Sequence, residues 1–303
     1  MNDKKALKIF KDKAYSNSYS LNGNMVVNNS DNIYKYDVTV NYKKGMYMVK
    51  LLNKDTNYTQ IILKNKNGVY VITPSLNKSF KFQSNWPYNN SEVYLLKSLL
   101  NDILEDDKRS FKQDKKYYSF STTVNYPSNR HLVRQSILFD KHMNARSVKV
   151  YDDNGSVVIS MIFDKIKYNN HIPNKVFKLS NNLNVKETFE STNELEAVYP
   201  LDIPDGTHLS HEDKSVDGKS SIMTFDGDKP FTLVEEVLEP MNSMTVIPTF
   251  GEPVYLQDGY GTVSDNSVYF TSGKNSYYLV SDSLNKDELL SVASSINAVP
   301  TMK

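Results

Sequence analysis

The chain has 303 residues, 39% hydrophobic and 23% charged, with 36 basic against 35 acidic side chains and a formal charge of +1. That composition suits a folded protein with more than one core and excludes wholesale disorder. The evenly spread, balanced charge offers no basic stripe for nucleic acid, the absence of cysteine excludes disulfides, thiol catalysis and thiolate metal sites, and no apolar run reaches the roughly 18 residues that cross a membrane.

Residues 2–16 have the spacing of an amphipathic helix, with Ala6, Leu7, Phe10 and Ala14 on one side and lysines on the other. Met1 to Lys5 leads into no apolar signal-peptide core. The expectation is either a cytoplasmic protein or the mature part of an exported one. The 21 tyrosines, frequent Asn and Ser and short alternating strands favour the second. Strands follow, the clearest over 33–42, where Tyr34, Tyr36, Val38, Val40 and Tyr42 alternate with polar residues. Asn and Gly mark the turns at 28–32, 44–45, 55–57 and 67–68. Runs at 46–52, 58–64, 69–73 and 79–83 complete a six-strand meander.

A helix is expected over 90–105, with Val93, Leu96, Leu99, Leu100 and Ile103 in one stripe widened by Leu95 and Leu104. Charged residues 106–115 read as a loop. Strands resume at 118–126, 131–140, 145–151, 156–168 and 175–179, about eleven in all, with connections short enough for antiparallel pairing. Residues 1–180 then form a first domain. Residues 181–198 lose alternation and read as a linker, and 199–303 form a small α+β domain. Its strands are expected at 220–225, 231–238, 254–257, 259–263, 267–271 and 277–280. Its closing helix has Asn285 and Glu288 as a capping box and Leu284 with Leu289 as a staple.

No constellation carries chemistry. His208 and His211, with Glu212 and Asp213, read as a polar loop rather than a metal site. Asp102, Glu105, Asp106 and Asp107 read as a solvated helix end rather than an acid–base pair. Asp152 to Gly155 reads as a hairpin turn, lacking the remaining ligands of a calcium loop. Nucleophile elbows and phosphate loops are absent, and Gly259-x-Gly261 lacks a third glycine and a following helix. The sequence therefore suggests no enzyme, no cofactor and no metal. The remaining candidate is the apolar inner face of the sheet, lined by Phe80, Phe82, Trp86, Val93, Leu96, Leu99, Leu100 and Ile103. These side chains either fill a core or wall a cavity for an apolar ligand.

Residues 19–179 resemble the LolA-like half-barrel proteins. The resemblance rests on the meander, on Lys66-Asn67-Gly68-Val69-Tyr70, on Thr73-Pro74-Ser75-Leu76-Asn77-Lys78-Ser79-Phe80 and on Gln83-Ser84-Asn85-Trp86-Pro87. The last two segments are most similar to sporulation lipoproteins of the YdcC type and to the clostridial germination lipoprotein GerS. Tyr199-Pro200, Ile203-Pro204-Asp205-Gly206 and the segment from Leu284 to Ile296 resemble a small domain found after such half-barrels. The resemblance implies a mainly β fold: a curved antiparallel half-barrel of about eleven strands, plugged by helices. It implies an extracytoplasmic lipoprotein anchored through an acylated cysteine upstream of Asn2. It further implies a non-catalytic role in spore formation or germination, with a cortex-modifying amidase or another envelope protein as partner. The alternative it allows is a carrier or sensor holding a lipid acyl chain in the concave face.

Overall fold

The computed structural model describes residues 1–29, 32–87, 90–183, 195, 197–243, 245–249, 251–256 and 259–296. In chain order the elements begin with α1 (Asp3–Ala14), β1 (Ser18–Asn29), β2 (Asn32–Lys43), β3 (Met46–Asn53), β4 (Thr59–Asn65), β5 (Gly68–Thr73) and β6 (Lys78–Phe82). Next come α2 (Leu96–Glu105), β7 (Ser110–Gln113), β8 (Tyr117–Thr123), β9 (Leu132–Asp140), β10 (Ala145–Asp152), β11 (Val157–Tyr168) and α3 (Leu179–Leu183). The chain continues with β12 (Thr207–Lys214), β13 (Ser220–Gly227), β14 (Phe231–Val237), β15 (Thr245–Thr249) and β16 (Glu252–Leu256). It closes with β17 (Gly259–Val263), β18 (Ser267–Ser272), β19 (Asn275–Val280) and α4 (Lys286–Ser294).

Two compact units result. Met1–Ile72, Asn85–Tyr126 and Arg130–Asn184 form the first; Thr73–Ser84, Pro127–Asn129 and Val185–Lys303 form the second. The units interleave along the chain, where the sequence suggests one division between 180 and 199.

In the first unit ten strands run in the order β5-β4-β3-β2-β1-β11-β10-β9-β8-β7. Every neighbouring pair is antiparallel. Two meanders thus meet where β1 pairs with β11. The hairpins follow from local chemistry: Lys44 and Gly45 both adopt positive φ, as a two-residue turn of the twisted kind requires. Gly155 does the same between β10 and β11. The side chain of Asn2 caps α1 by accepting the Lys5 amide at 3.0 Å. Ala6, Phe10 and Ala14, one turn apart, are the buried face of α1, and Phe10 meets Phe139 edge-on at 4.7 Å.

Helix α2 is the plug. Its first turn and its N-cap bury Leu95, Leu96, Ser98 and Leu99, and Leu100 and Ile103 follow. At 100° per residue these positions span roughly 200° of the helix, more than a flat sheet would cover. Sheet and α1 together wrap it, as expected of a curved half-barrel.

The second unit holds a seven-stranded antiparallel sheet in the order β12-β13-β14-β19-β18-β17-β16. Leu289, Leu290, Val292 and Ala293 of α4 pack against its inner face, with Met223, Phe225, Leu233, Phe270 and Leu279. The expected capping box is formed: Asn285 accepts the Asp287 and Glu288 amides while Glu288 accepts the Asn285 amide at 3.0 Å. β6 belongs to this unit and pairs with β15 in parallel register. That pairing differs from the expected all-antiparallel arrangement.

Several expected elements shift. The expected helix over 90–105 starts only at Leu96, because Ser98 Oγ bonds the Asn90 carbonyl and the Glu92 amide, both at 2.8 Å. Residues 90–95 are held as an irregular strap whose buried Val93 and Tyr94 imitate helical patterning. The charged loop expected over 106–115 contains the edge strand β7. Its Phe111 packs on Phe120, ring centroids 4.9 Å apart, and an edge strand tolerates charge on its open side. The strand expected at 175–179 is a 3-10 turn, Asn174–Phe177, followed by the short α3. The polar loop around His208 and His211 is β12, an exposed edge. β15 carries no alternation that the sequence reading found.

Gly23 lies where β1 shifts register against β11. A Cβ at this position would stand 2.2 Å from the Ile162 carbonyl oxygen. Gly23→Ala is therefore expected to destabilise the first unit by about 1–3 kcal/mol, read as a lower urea midpoint. An unchanged midpoint would show that the bulge yields freely.

Candidate functional site

The eight sequence-predicted residues do not form one group. Trp86, Val93, Leu96, Leu99, Leu100 and Ile103 belong to the first unit, whereas Phe80 and Phe82 lie on β6 of the second. Phe80 is half-buried against Tyr269, ring centroids 5.3 Å apart. Leu96, Leu99, Leu100 and Ile103 have 0% exposure. A side chain with no accessible area borders neither solvent nor a void large enough for water. These four side chains are therefore packed against protein on every side. A cleft of about 670 Å³ does open in this unit, but beside Asp3, Arg109, Phe111, Gln113 and Phe120. None of the eight residues lines it.

Polar groups flank the plug. Asp102 and Asp106 are not part of the solvated helix end that the sequence suggests; Asp102 faces the sheet. Its carboxyl accepts Ser91 Oγ at 2.9 Å and Gln135 Nε2 at 2.5 Å. Burial pushes its pKa up to about 7, with the two hydrogen bonds pulling down and Glu105 adding to the rise. The Oε1 atom of Gln135 is buried without a partner. A neutral Asp102 has a hydroxyl able to donate to that oxygen once the amide turns over, which is consistent with a proton held there. Asp106, too, is structural: it accepts the amides of Lys108 and Thr123, each at 2.8 Å.

At the other end of α2 runs a row of aromatic side chains that sequence reading missed. Register places Tyr168, Tyr19, Tyr42, Tyr47 and Lys64 opposite one another on successive strands β11, β1, β2, β3 and β4. Tyr19 stacks on Tyr42 and Tyr42 leans on Tyr47, each with centroids 4.9 Å apart. Tyr47 then meets the edge of Trp86 at 6.1 Å. Part of this was legible: Tyr42 and Tyr47 are symmetric about the Lys44-Gly45 turn and must face each other. Tyr19 and Tyr168 come from distant segments with no local signal.

Trp86 precedes a cis proline and is pinned three ways. Its indole N–H donates to Glu92 Oε1 at 3.2 Å, its carbonyl accepts Lys64 Nζ at 2.7 Å, and its ring packs on Tyr47. Burial holds the tyrosine hydroxyls of positions 19, 47 and 168 above their ordinary pKa.

In the second unit Glu235 is the buried carboxylate. It points into the inner face of the sheet and accepts the Val198 amide with both oxygens, at 3.0 and 3.3 Å. Burial raises its pKa to about 7 against the pull of that amide. Tyr199 Oη donates to Glu212 at 2.7 Å beside it. His211 pairs with Asp213 at 3.0 Å on the exposed edge. Among the described residues no three His, Asp or Glu side chains are placed to share a metal.

A long antiparallel sheet curled round a short apolar helix, joined in one chain to a smaller sheet-and-helix unit, defines the class as a plugged half-barrel protein. No family model matches the chain. It is 37% identical over 295 residues to the sporulation protein YdcC of Bacillus subtilis, an alignment covering 94% of this chain and 87% of that protein. The chain belongs to the family of that sporulation protein. Among solved structures it is similar to a chain of the Pseudomonas aeruginosa MucA/MucB complex, with 11% identity, 97% of both chains covered and a TM-score of 0.37. It is also similar to a LolA superfamily protein from Nitrosomonas europaea, with 12% identity, 59% of this chain and 99% of the other covered, and a TM-score of 0.32.

The raised carboxylates give stability a pH dependence of defined sign. Each binds its proton more tightly folded than unfolded. The resulting penalty is absent below about pH 4, grows as pH rises through the ordinary carboxylate range and is complete above about pH 7. Asp102→Asn is expected to match the parent at pH 3 and to exceed it by about 1–2 kcal/mol at pH 8. Urea melts followed by circular dichroism at several pH values measure the difference. A constant offset across that range would refute a titrating Asp102.

Proposed function

We propose that this protein is a non-catalytic, extracytoplasmic binding protein of spore formation or germination, one that scaffolds an envelope enzyme. Two kinds of support bear on it. The biological setting comes from the 37% identity to a sporulation protein across nearly the whole chain. The choice of a protein partner over a carried lipid is supported by one observation: the plug residues Leu96, Leu99, Leu100 and Ile103 have no accessible area, so these four side chains leave no space beside them for an acyl chain. The buried carboxylates argue in the same direction. Asp102 and Glu235 are each engaged by donors that hold adjoining chain segments, rather than aimed into an open cleft. In this reading the outer surfaces of both units carry the interaction, and a lipid anchor upstream of Asn2 holds the protein at the membrane. A cortex-modifying amidase is the partner that the family resemblance suggests first.

The test is reconstitution. The purified protein and the cortex amidases of the same organism are mixed and run by size exclusion, with affinity measured by calorimetry. A stoichiometric complex of micromolar or tighter affinity is expected. Native mass spectrometry of protein extracted from sporulating membranes is expected to show no retained lipid. Absence of binding to every cortex enzyme, together with a copurifying acyl lipid, would replace this reading with the carrier.

A further inference from the structure

We propose that Lys64 and Lys97, at the N-terminal end of α2, form a binding site for a phosphate-type oxyanion. This stands apart from the partner-binding reading above.

Two lysines converge on the end of the tyrosine row. Lys64 closes the row on β4, and its ammonium donates to the Trp86 carbonyl at 2.7 Å. Lys97, in the first turn of α2, donates to Tyr42 Oη at 2.6 Å. Its ammonium lies 4.6 Å from the centre of the Tyr42 ring and 5.0 Å from that of Tyr15. Both lysines are half-buried. Neither has a carboxylate within ion-pair distance among the described residues. Their hydrogen-bond acceptors are neutral oxygens; Lys64 also reaches the Asn85 carbonyl at 3.4 Å, and each ammonium keeps at least one N–H to spare. The two charges repel: burial first, and then Lys97, hold the Lys64 amine below its ordinary pKa. An arrangement that keeps two partly desolvated cations together without a counter-charge is completed by an anion.

The end of the helix points the same way. No side chain caps α2 at Leu95, and its first turn has no acidic residue. The first three amides of a helix lack internal acceptors, and the positive end of the helix favours negative charge. Beneath this end lies the hydroxyl of Tyr19, fully buried. It faces the Leu96 amide, yet the two fall outside hydrogen-bonding geometry, which leaves the hydroxyl without a partner. A tetrahedral oxyanion suits the place better than a carboxylate. It presents oxygens in several directions and can reach two ammonium groups and a helix terminus at once. The phosphate can be free or can belong to a lipid headgroup, with the exposed ring of Tyr15 beside it.

Trp86, the sole tryptophan, is bonded directly to Lys64 and reports on the site. Inorganic phosphate is titrated at constant ionic strength with chloride as the balancing ion. A saturable change in Trp86 emission is expected. Lys64→Met and Lys97→Met should each weaken it at least about tenfold. Lys97→Arg should retain it, and Lys149→Met, on an exposed part of β10, should leave it unchanged. Dihexanoyl phosphatidate, kept below its micelle concentration, separates the sources. Binding at least tenfold tighter than phosphate identifies a lipid headgroup, and equal binding identifies free phosphate. A response no different from chloride overturns the proposal. So does a Lys64→Met/Lys97→Met double variant that keeps the parent circular dichroism spectrum and binds as tightly as the parent.

Discussion

A ten-residue helix buried over more than half its circumference imposes one rule on its surroundings: every polar group near it must be answered from inside the protein. Much of the first unit follows from that rule. Ser98 is spent tying the preceding strap to the first turn. Asp102 is met by Ser91 and Gln135. Lys97 reaches Tyr42, and Lys64 holds the carbonyl of Trp86 as the chain turns toward the helix. An unanswered buried polar group costs on the order of 1–3 kcal/mol. Two near the plug stay unanswered: the Tyr19 hydroxyl at one end and Gln135 Oε1 along the flank. The first adjoins two lysines that have no carboxylate partner among the described residues, and the second the carboxylate with the raised pKa. At both of these places unmet hydrogen-bonding capacity stands beside a displaced charge.

The second unit solves a similar problem with different means. Its core is a conventional apolar layer between sheet and α4, interrupted by one carboxylate. Glu235 fixes the Val198 amide, and Tyr199 reaches Glu212 next to it. The chain entering the unit is thus fastened to the sheet by polar groups, while Pro200 bridges to Ile296 at the end of α4. Both units bury a carboxylate where a segment outside the regular elements has to be held.

Sequence was most informative where local chemistry and period agree. The hairpins at Lys44-Gly45 and Asn154-Gly155, the long strands beside them and the capped C-terminal helix needed no tertiary information, because positive φ, alternation and capping are properties of neighbouring residues. The class of fold and the plug helix were also legible, the first through the resemblance and the second through Leu96, Leu99, Leu100 and Ile103. Failures share a cause. Val93, Tyr94 and Leu95 are buried in succession, and consecutive burial has no period to distinguish strap from helix. β7 and β12 are edge strands, whose open sides take charge and so read as loops. Asp102 looked like one of four solvated carboxylates; only the fold shows that it alone turns toward Gln135. The tyrosine row needed the pairing of β1 with β11, some 140 residues apart.

The parallel pairing of β6 with β15 has a consequence for how the chain reaches this state. Lys78 stands opposite Thr245, so β6 leaves the ribosome long before its parallel neighbour exists. Its neighbourhood is tied to the same late segment through the Asn77 side chain and the Met241 carbonyl, 2.7 Å apart. During synthesis the β15 edge of β6 therefore stays open, and Phe80 waits for Tyr269, until the later segment is made. Closure over so long an intervening stretch is entropically slow. The same interleaving makes the second unit inseparable from the first by any single cut in the chain.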